Sequence, residues 1–345
     1  MVGYVIYIMF FYIVKSIEKV SIHTEELRCW SRNVRFASML CLVITLALIV
    51  SGCSKPRSDT AYFAATCPPV AIILREVVGE RTTVECLMPA GVSPHTYEIR
   101  PSDARRSEGA LALFYIDDLY DGWAAGLPAR ERIPTFPMVD EAMKRHWDED
   151  SACTLHDHGE THEHNHRNDH ADEHDHGDLD PHYWADPLAV ASMLPVLTAH
   201  LCRLDPEGCE TYEANAAAFN ERLEQLHDDI NTAISVVSGG VVALFHPSWI
   251  YYTDRYGIEV AALVEPYPGQ EASPRYIRQV IDQLAMQDVG VVFTEPQLPR
   301  RPAEVVSEAA GIRLMEIDPV GGARQTNTYE DLLWYNTHIF IEALQ

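Results

Sequence analysis

Apolar and polar positions follow two rhythms along most of the chain. Short β-favouring runs at Tyr62–Thr66, Thr82–Met88, Leu111–Ile116 and Thr135–Val139 read as strands, and Val70–Val78 between the first two reads as a helix. Strands alternating with helices predict parallel βα units. From Met143 to Asp180 the pattern dissolves into His, Asp and Glu, a composition that cannot bury a core and predicts a mobile loop. Asp186-Pro187 then supplies an N-cap and an N1 proline for a helix through about Leu204, and Asp205-Pro206 repeats the device. In the long helix that follows, Tyr212, Ala216, Phe219, Leu223, Leu226, Ile230 and Ile234 recur at steps of three and four, so one apolar stripe continues for many turns until Gly239-Gly240. Alternation resumes with strands at Val241–Phe245, Ile258–Leu263, Val289–Phe293 and Arg313–Ile317, and helices at Pro274–Met286, Pro302–Ala310 and Tyr329–Leu344. The simplest architecture is two α/β lobes joined by one long helix. Ligands of open α/β sheets bind beyond the carboxyl ends of the strands, so the informative residues are those just after strands.

Composition narrows the class. With 345 residues, 47% of them hydrophobic, the chain can fill two ordinary cores. Its 26 Lys+Arg against 51 Asp+Glu leave a formal net charge of -25, a field that repels phosphate backbones and attracts cations, so nucleic acid is not an expected partner.

The N-terminal segment predicts export. Arg28, Arg32 and Arg35 precede an apolar run from Phe36 to Val50, which is the order of a signal's basic and hydrophobic regions. That run is shorter than the roughly 20 residues needed to span a bilayer. It leads into Val50-Ser51-Gly52-Cys53, which resembles the lipobox of bacterial lipoproteins, in which Cys53 is acylated and becomes the new N-terminus. A further apolar stretch, Met1 to Val14, fits no export pattern of this length. The expected organisation is a leader at 1–52, a tether at 53–60, a first lobe at 61–185 carrying a His-rich loop at 150–179, linking helices at 186–238 and a second lobe at 239–345. Of eight cysteines, Cys29, Cys41 and Cys53 fall in the leader region, which leaves five. Cys202 and Cys209 flank a turn and can pair in an oxidising compartment, and Cys67 and Cys86 form a second candidate pair. There is no CxxC pattern, hence no sign of a cysteine zinc ribbon.

Three histidines lie outside the His-rich run in loops dense with proline: Ser93-Pro94-His95, Asp180-Pro181-His182 and Phe245-His246-Pro247. Proline restricts the backbone and so reduces the entropy lost when an imidazole is held in one orientation. Neutral imidazole is a good zinc ligand, and three of them plus a carboxylate or water complete a tetrahedron.

The segments PAGVSPHTYEIRPSD (89–103), DPHYWADP (180–187), FHPSWIYYTDRYGI (245–258) and FTEPQLP (293–299) resemble, in order, the motifs of the zinc- and manganese-binding lipoproteins of ABC metal importers. The resemblance spans about residues 60–345. It implies two Rossmann-like α/β lobes joined by a long rigid helix, with the metal in the cleft between them and His95, His182 and His246 as ligands. Asp318, after the last strand, matches by context an aspartate that completes the site in parts of the family; capping the turn before Pro319 is its other reading, and water or an acidic loop residue its rivals as ligand. Glu295 is expected to support the ligands or the lobe surface and not to bind metal itself. The resemblance further implies a monomer outside the cytoplasmic membrane, periplasmic or at the cell surface. Its partners would be the membrane through its lipid, an ABC permease with its ATPase, and Zn2+ as the transported ligand.

A third imidazole favours zinc, because carboxylate-rich six-coordinate sites suit manganese. The loop agrees: His156, His158, His162, His164, His166, His170, His174 and His176 are interleaved with acids, resemble the insertion of the zinc-type branch, and are expected to bind zinc weakly at several sites. A metal-dependent hydrolase is disfavoured, since the chain has no HExxH outside the His-rich run, and an enzyme is not expected. A manganese importer component and a metal-dependent surface adhesin are the alternatives.

Overall fold

The computed structural model describes residues 61–146, 179–237, 239–266, 269, 272–287, 289–322 and 326–345. The leader with Cys53, the tether and all eight histidines of the His-rich loop lie outside them. Residues 60–345 form one compact unit.

The first sheet is built from β1 (Tyr62–Ala65), β2 (Thr83–Cys86), β3 (Leu113–Tyr115) and β4 (Arg132–Pro134), all parallel, in the order β2-β1-β3-β4. Helix α1 (Pro68–Val78) connects β1 to β2, and α2 (Pro101–Gly109) connects β2 to β3. The chain leaves β1 for one side of the sheet and β3 lies on the other, so a crevice opens beyond their carboxyl ends. The second sheet repeats the plan with β5 (Val241–Leu244), β6 (Glu259–Leu263), β7 (Val291–Thr294) and β8 (Arg313–Glu316), parallel and ordered β6-β5-β7-β8.

Between the sheets stand α3 (Pro187–Leu204) and α4 (Cys209–Ile234), joined by a tight turn and packed along each other. Asp186 caps α3 by accepting the Leu188 amide at 2.9 Å. All seven positions of the α4 stripe are buried. Each large side chain in it contributes roughly 1.5–3 kcal/mol of transfer free energy. That face meets α1 of the first lobe and α8 (Tyr329–Leu344) of the second, so a single apolar core runs through both. On the surface Arg222 of α4 holds Glu76 of α1 and, at 2.9 Å, Glu330 of α8. The second lobe is completed by α5 (Ile250–Tyr256), α6 (Pro274–Met286) and α7 (Arg301–Ala310).

Two local expectations are corrected, and one helix was not foreseen. The strand expected at Thr135–Val139 is β4, three residues earlier. Pro134 offers no amide to continue the ladder, Thr135 turns into the right-handed helical region, and Phe136–Met138 forms a 3-10 turn around Pro137. Helix α2 carries no apolar stripe to betray it; Pro101 at its start and the Asp103 carboxylate, which accepts the Arg100 amide at 2.8 Å, define it instead. Cys67 and Cys86 are free thiols, not a pair; Cys86 donates to the Met88 carbonyl at 3.3 Å. Cys202 and Cys209 are joined by a disulfide, their Cα atoms 4.5 Å apart, across the turn between α3 and α4.

Candidate metal centre

Of the three proline-flanked histidines, His95 and His246 follow strands and His182 precedes a helix. His95 sits in the 3-10 turn Pro94–Thr96 after β2, and the Trp123 indole donates to the Pro94 carbonyl at 3.1 Å to fix that turn. His182 starts the turn Tyr183–Ala185 that leads into α3. His246 follows β5 directly in extended conformation. Their ring centroids form a nearly equilateral triangle of 5.6, 5.5 and 5.1 Å, and one nitrogen from each ring lies within 4.8 Å of the other two. All three Nε2 atoms are buried and have no hydrogen-bond partner among the described residues.

Two carboxylates decide which nitrogen faces inward. His182 Nδ1 lies 2.5 Å from Asp180 Oδ1, and the His182 amide donates to that oxygen at 3.0 Å. Asp180 is itself pinned, its carbonyl accepting the Tyr251 hydroxyl at 3.0 Å. His246 Nδ1 lies 2.7 Å from Glu295 Oε1, which also accepts the Ser248 hydroxyl at 2.7 Å. A carboxylate beside Nδ1 calls for a proton there, which leaves the Nε2 lone pair for a cation. His95 has no carboxylate partner among the described residues. Burial first, and then the neighbouring His246 and His182, hold its pKa well below the usual imidazole value, which disfavours the charged ring.

The three rings enclose a cavity of about 10 Å³ whose wall includes Tyr120, Glu295 and Gln297. That volume accommodates a single ion or water, and excludes a sugar or an amino acid as cargo. Tyr120 packs edge-on against His95 at 4.3 Å and against His182 at 5.3 Å, so an apolar ring closes one side.

Asp318 is buried behind this wall and is not among the cavity-lining residues. Its Oδ1 accepts Gln297 Nε2 at 2.6 Å and the Gly321 amide at 2.8 Å. The turn that presents the second donor needs glycine: Gly321 has φ +74°, and a Cβ there would meet the Thr326 hydroxyl at 2.9 Å. Burial raises the Asp318 carboxyl above its usual range against the opposing pull of Gln297. The structure thus brings three of the four residues expected as ligands together and sets Asp318 one layer back. Glu295, expected to support the ligands, bonds to His246 and also lines the cavity. Tyr120 carried no signal in the sequence, while Gln297 and Asp180 lay inside the segments 293–299 and 180–187 without a role assigned to them. A second close group, Cys202, Cys209 and Glu213, contains the disulfide.

Two parallel-sheet α/β lobes with an ion-sized cavity walled by imidazoles define a two-lobed metal-binding protein of the solute-capturing kind. Residues 64–343 match the family described as ZnuA, zinc-uptake complex component A, periplasmic, and the chain belongs to that family, the metal-binding solute-binding proteins of ABC importers. It is 28% identical over 292 residues to the high-affinity zinc uptake system protein ZnuA of Paracoccus denitrificans, across 81% of this chain and 90% of that protein. It is also 24% identical over 320 residues to the manganese-binding lipoprotein MntA of Halalkalibacterium halodurans, across 88% and 97% of the two chains. A crystal structure of ZnuA superposes with a TM-score of 0.64 at 24% identity, covering 83% of this chain and 100% of that one.

Proposed function

We propose that this protein captures Zn2+ outside the cytoplasmic membrane through His95, His182 and His246, and delivers it to an ABC permease driven by its ATPase. The observation that carries the reading is the set of three buried, unpartnered Nε2 atoms converging on one cavity, two of them oriented by carboxylates. Zinc accepts a low-coordinate imidazole set, whereas manganese favours six oxygen-rich contacts that this cavity does not offer. The resemblance to MntA supports the second reading, a manganese carrier. Release and not turnover is the role assigned to the site: three imidazoles with no general base among them hold an ion without activating a substrate. The protein acts as a monomer, and the loop residues His156, His158, His162, His164, His166, His170, His174 and His176 collect further zinc weakly.

Metal analysis of the exported domain, with and without residues 156–176, tests this. One tightly held zinc per chain should survive loop deletion and resist a large excess of manganese, while weakly held zinc is lost. Manganese in place of zinc in the tight site of protein isolated directly from cells would instead establish the manganese reading.

The anchor in this reading is Cys53, supported by the basic, apolar and Val50-Ser51-Gly52 sequence before it. Cys53→Ala should abolish incorporation of labelled fatty acid; undiminished labelling would rule the anchor out.

A further inference from the structure

Three groups around the cavity share one arrangement. His182 sets Nδ1 against Asp180 Oδ1 at 2.5 Å, His246 sets Nδ1 against Glu295 Oε1 at 2.7 Å, and Gln297 donates from Nε2 to Asp318 Oδ1 at 2.6 Å. In each pair a buried carboxylate takes the nitrogen at one end of a side chain. In each, the acceptor at the other end (His182 Nε2, His246 Nε2, Gln297 Oε1) is buried with no hydrogen-bond partner among the described residues. The orientation of the Gln297 amide is chemically determined. Turning it over would set its oxygen against a carboxylate oxygen, two acceptors face to face, so the nitrogen goes to Asp318 and the oxygen to the other side. Gln297 lines the cavity and Asp318 does not. A buried amide oxygen without a donor is unfavourable unless a cation or a donor meets it. Three converging imidazoles leave one corner of a tetrahedron open.

Resting on the reading of this cavity as the metal site, we propose that Gln297 Oε1 is the fourth contact of the bound ion, and that Asp318 acts through Gln297 as its positioning residue. The ion then meets three neutral imidazoles and one neutral amide oxygen, and the carboxylates of Asp180, Glu295 and Asp318 each fix one of those groups. This makes Gln297 a specificity determinant as well. A neutral set of three nitrogens and one oxygen suits four-coordinate zinc and withholds the carboxylate contacts that manganese favours.

The test uses the full chain loaded with Co2+, whose visible absorption reports coordination number and donor set, together with zinc affinity from chelator competition. Gln297→Ala should weaken zinc about 10–100-fold and change the cobalt spectrum. Asp318→Asn should stay near the parent in both, because its side-chain oxygen can still accept Gln297 Nε2, whereas Asp318→Ala should weaken zinc through the loosened amide. The proposal is overturned if Gln297→Ala keeps the parent affinity and spectrum, or if Asp318→Asn alone changes the spectrum, which would make the Asp318 carboxylate the ligand. His246→Ala separates the two levels of the argument. A parent that loses its cobalt band in His246→Ala but not in Gln297→Ala retains the three-imidazole site and discards this fourth contact. A parent with no single tight cobalt site discards both.

Discussion

The Glu295 carboxylate at the end of β7 holds the His246 imidazole at the end of β5, Oε1 to Nδ1, at 2.7 Å with both groups buried. The strands are neighbours in the sheet, so the contact joins residues 49 positions apart through backbone pairing alone. Ser248 donates to the same oxygen and keeps the carboxylate from rotating away. One ladder thus fixes the rotamer and the tautomer of this imidazole.

Glu295→Gln keeps the shape of this support but removes its charge, so Nδ1 is less firmly protonated and Nε2 is a weaker donor to metal. Zinc affinity should fall about 10–100-fold with the fold intact. Chelator competition alongside circular dichroism checks it, and unchanged affinity would show that His246 needs no such support.

Asp121 supplies a pH test independent of metal. Fully buried beside Tyr120, it accepts the Thr66 hydroxyl at 2.5 Å and the Ile116 amide at 2.9 Å. Burial outweighs these bonds and pushes its pKa up to about 7. A carboxyl raised above the unfolded value of about 3.9 contributes stability that is complete below that value and is lost as pH rises through about 7. Denaturant unfolding of the parent should therefore gain on Asp121→Asn, by roughly 2–4 kcal/mol, between pH 8 and pH 5. Parallel pH profiles for the two proteins would contradict the assignment.

Much of this was legible in the sequence for identifiable reasons. The α4 stripe is visible because packing against two lobes demands apolar residues every three or four positions over many turns, and all seven lie buried. His95, His182 and His246 stand out because each sits in a loop beside a proline that restricts its backbone. The β4 register was obscured because apolar Phe136 and Met138 continue the strand-like pattern through a turn that Pro137 and Pro134 in fact impose. Gln297 lies inside the FTEPQLP segment, but neither it nor Tyr120 could be given a role by pattern. An amide and a phenol are common at surfaces, and only the fold brings Gln297 to Asp318, 21 residues away, or the Tyr120 ring onto His95. The place of Asp318 shows the same limit: its context after β8 points to the site, yet only the geometry reveals that Gln297 stands in front of it.

The central claim is that one ion is held by three imidazoles from loops of both lobes, and zinc titration of His95→Ala, His182→Ala and His246→Ala in a chain lacking residues 156–176 tests it most directly. Each substitution removes one of three converging Nε2 atoms, and each should weaken the tight site far more than loss of any loop histidine. Binding in the parent should also decline as pH falls through the ordinary imidazole range near about 6.5, where protons compete for ligand nitrogens. Burial lowers the His95 pKa, which lessens that competition at this ring. If all three variants still bind one zinc with the parent's affinity, the metal is held elsewhere and the account fails.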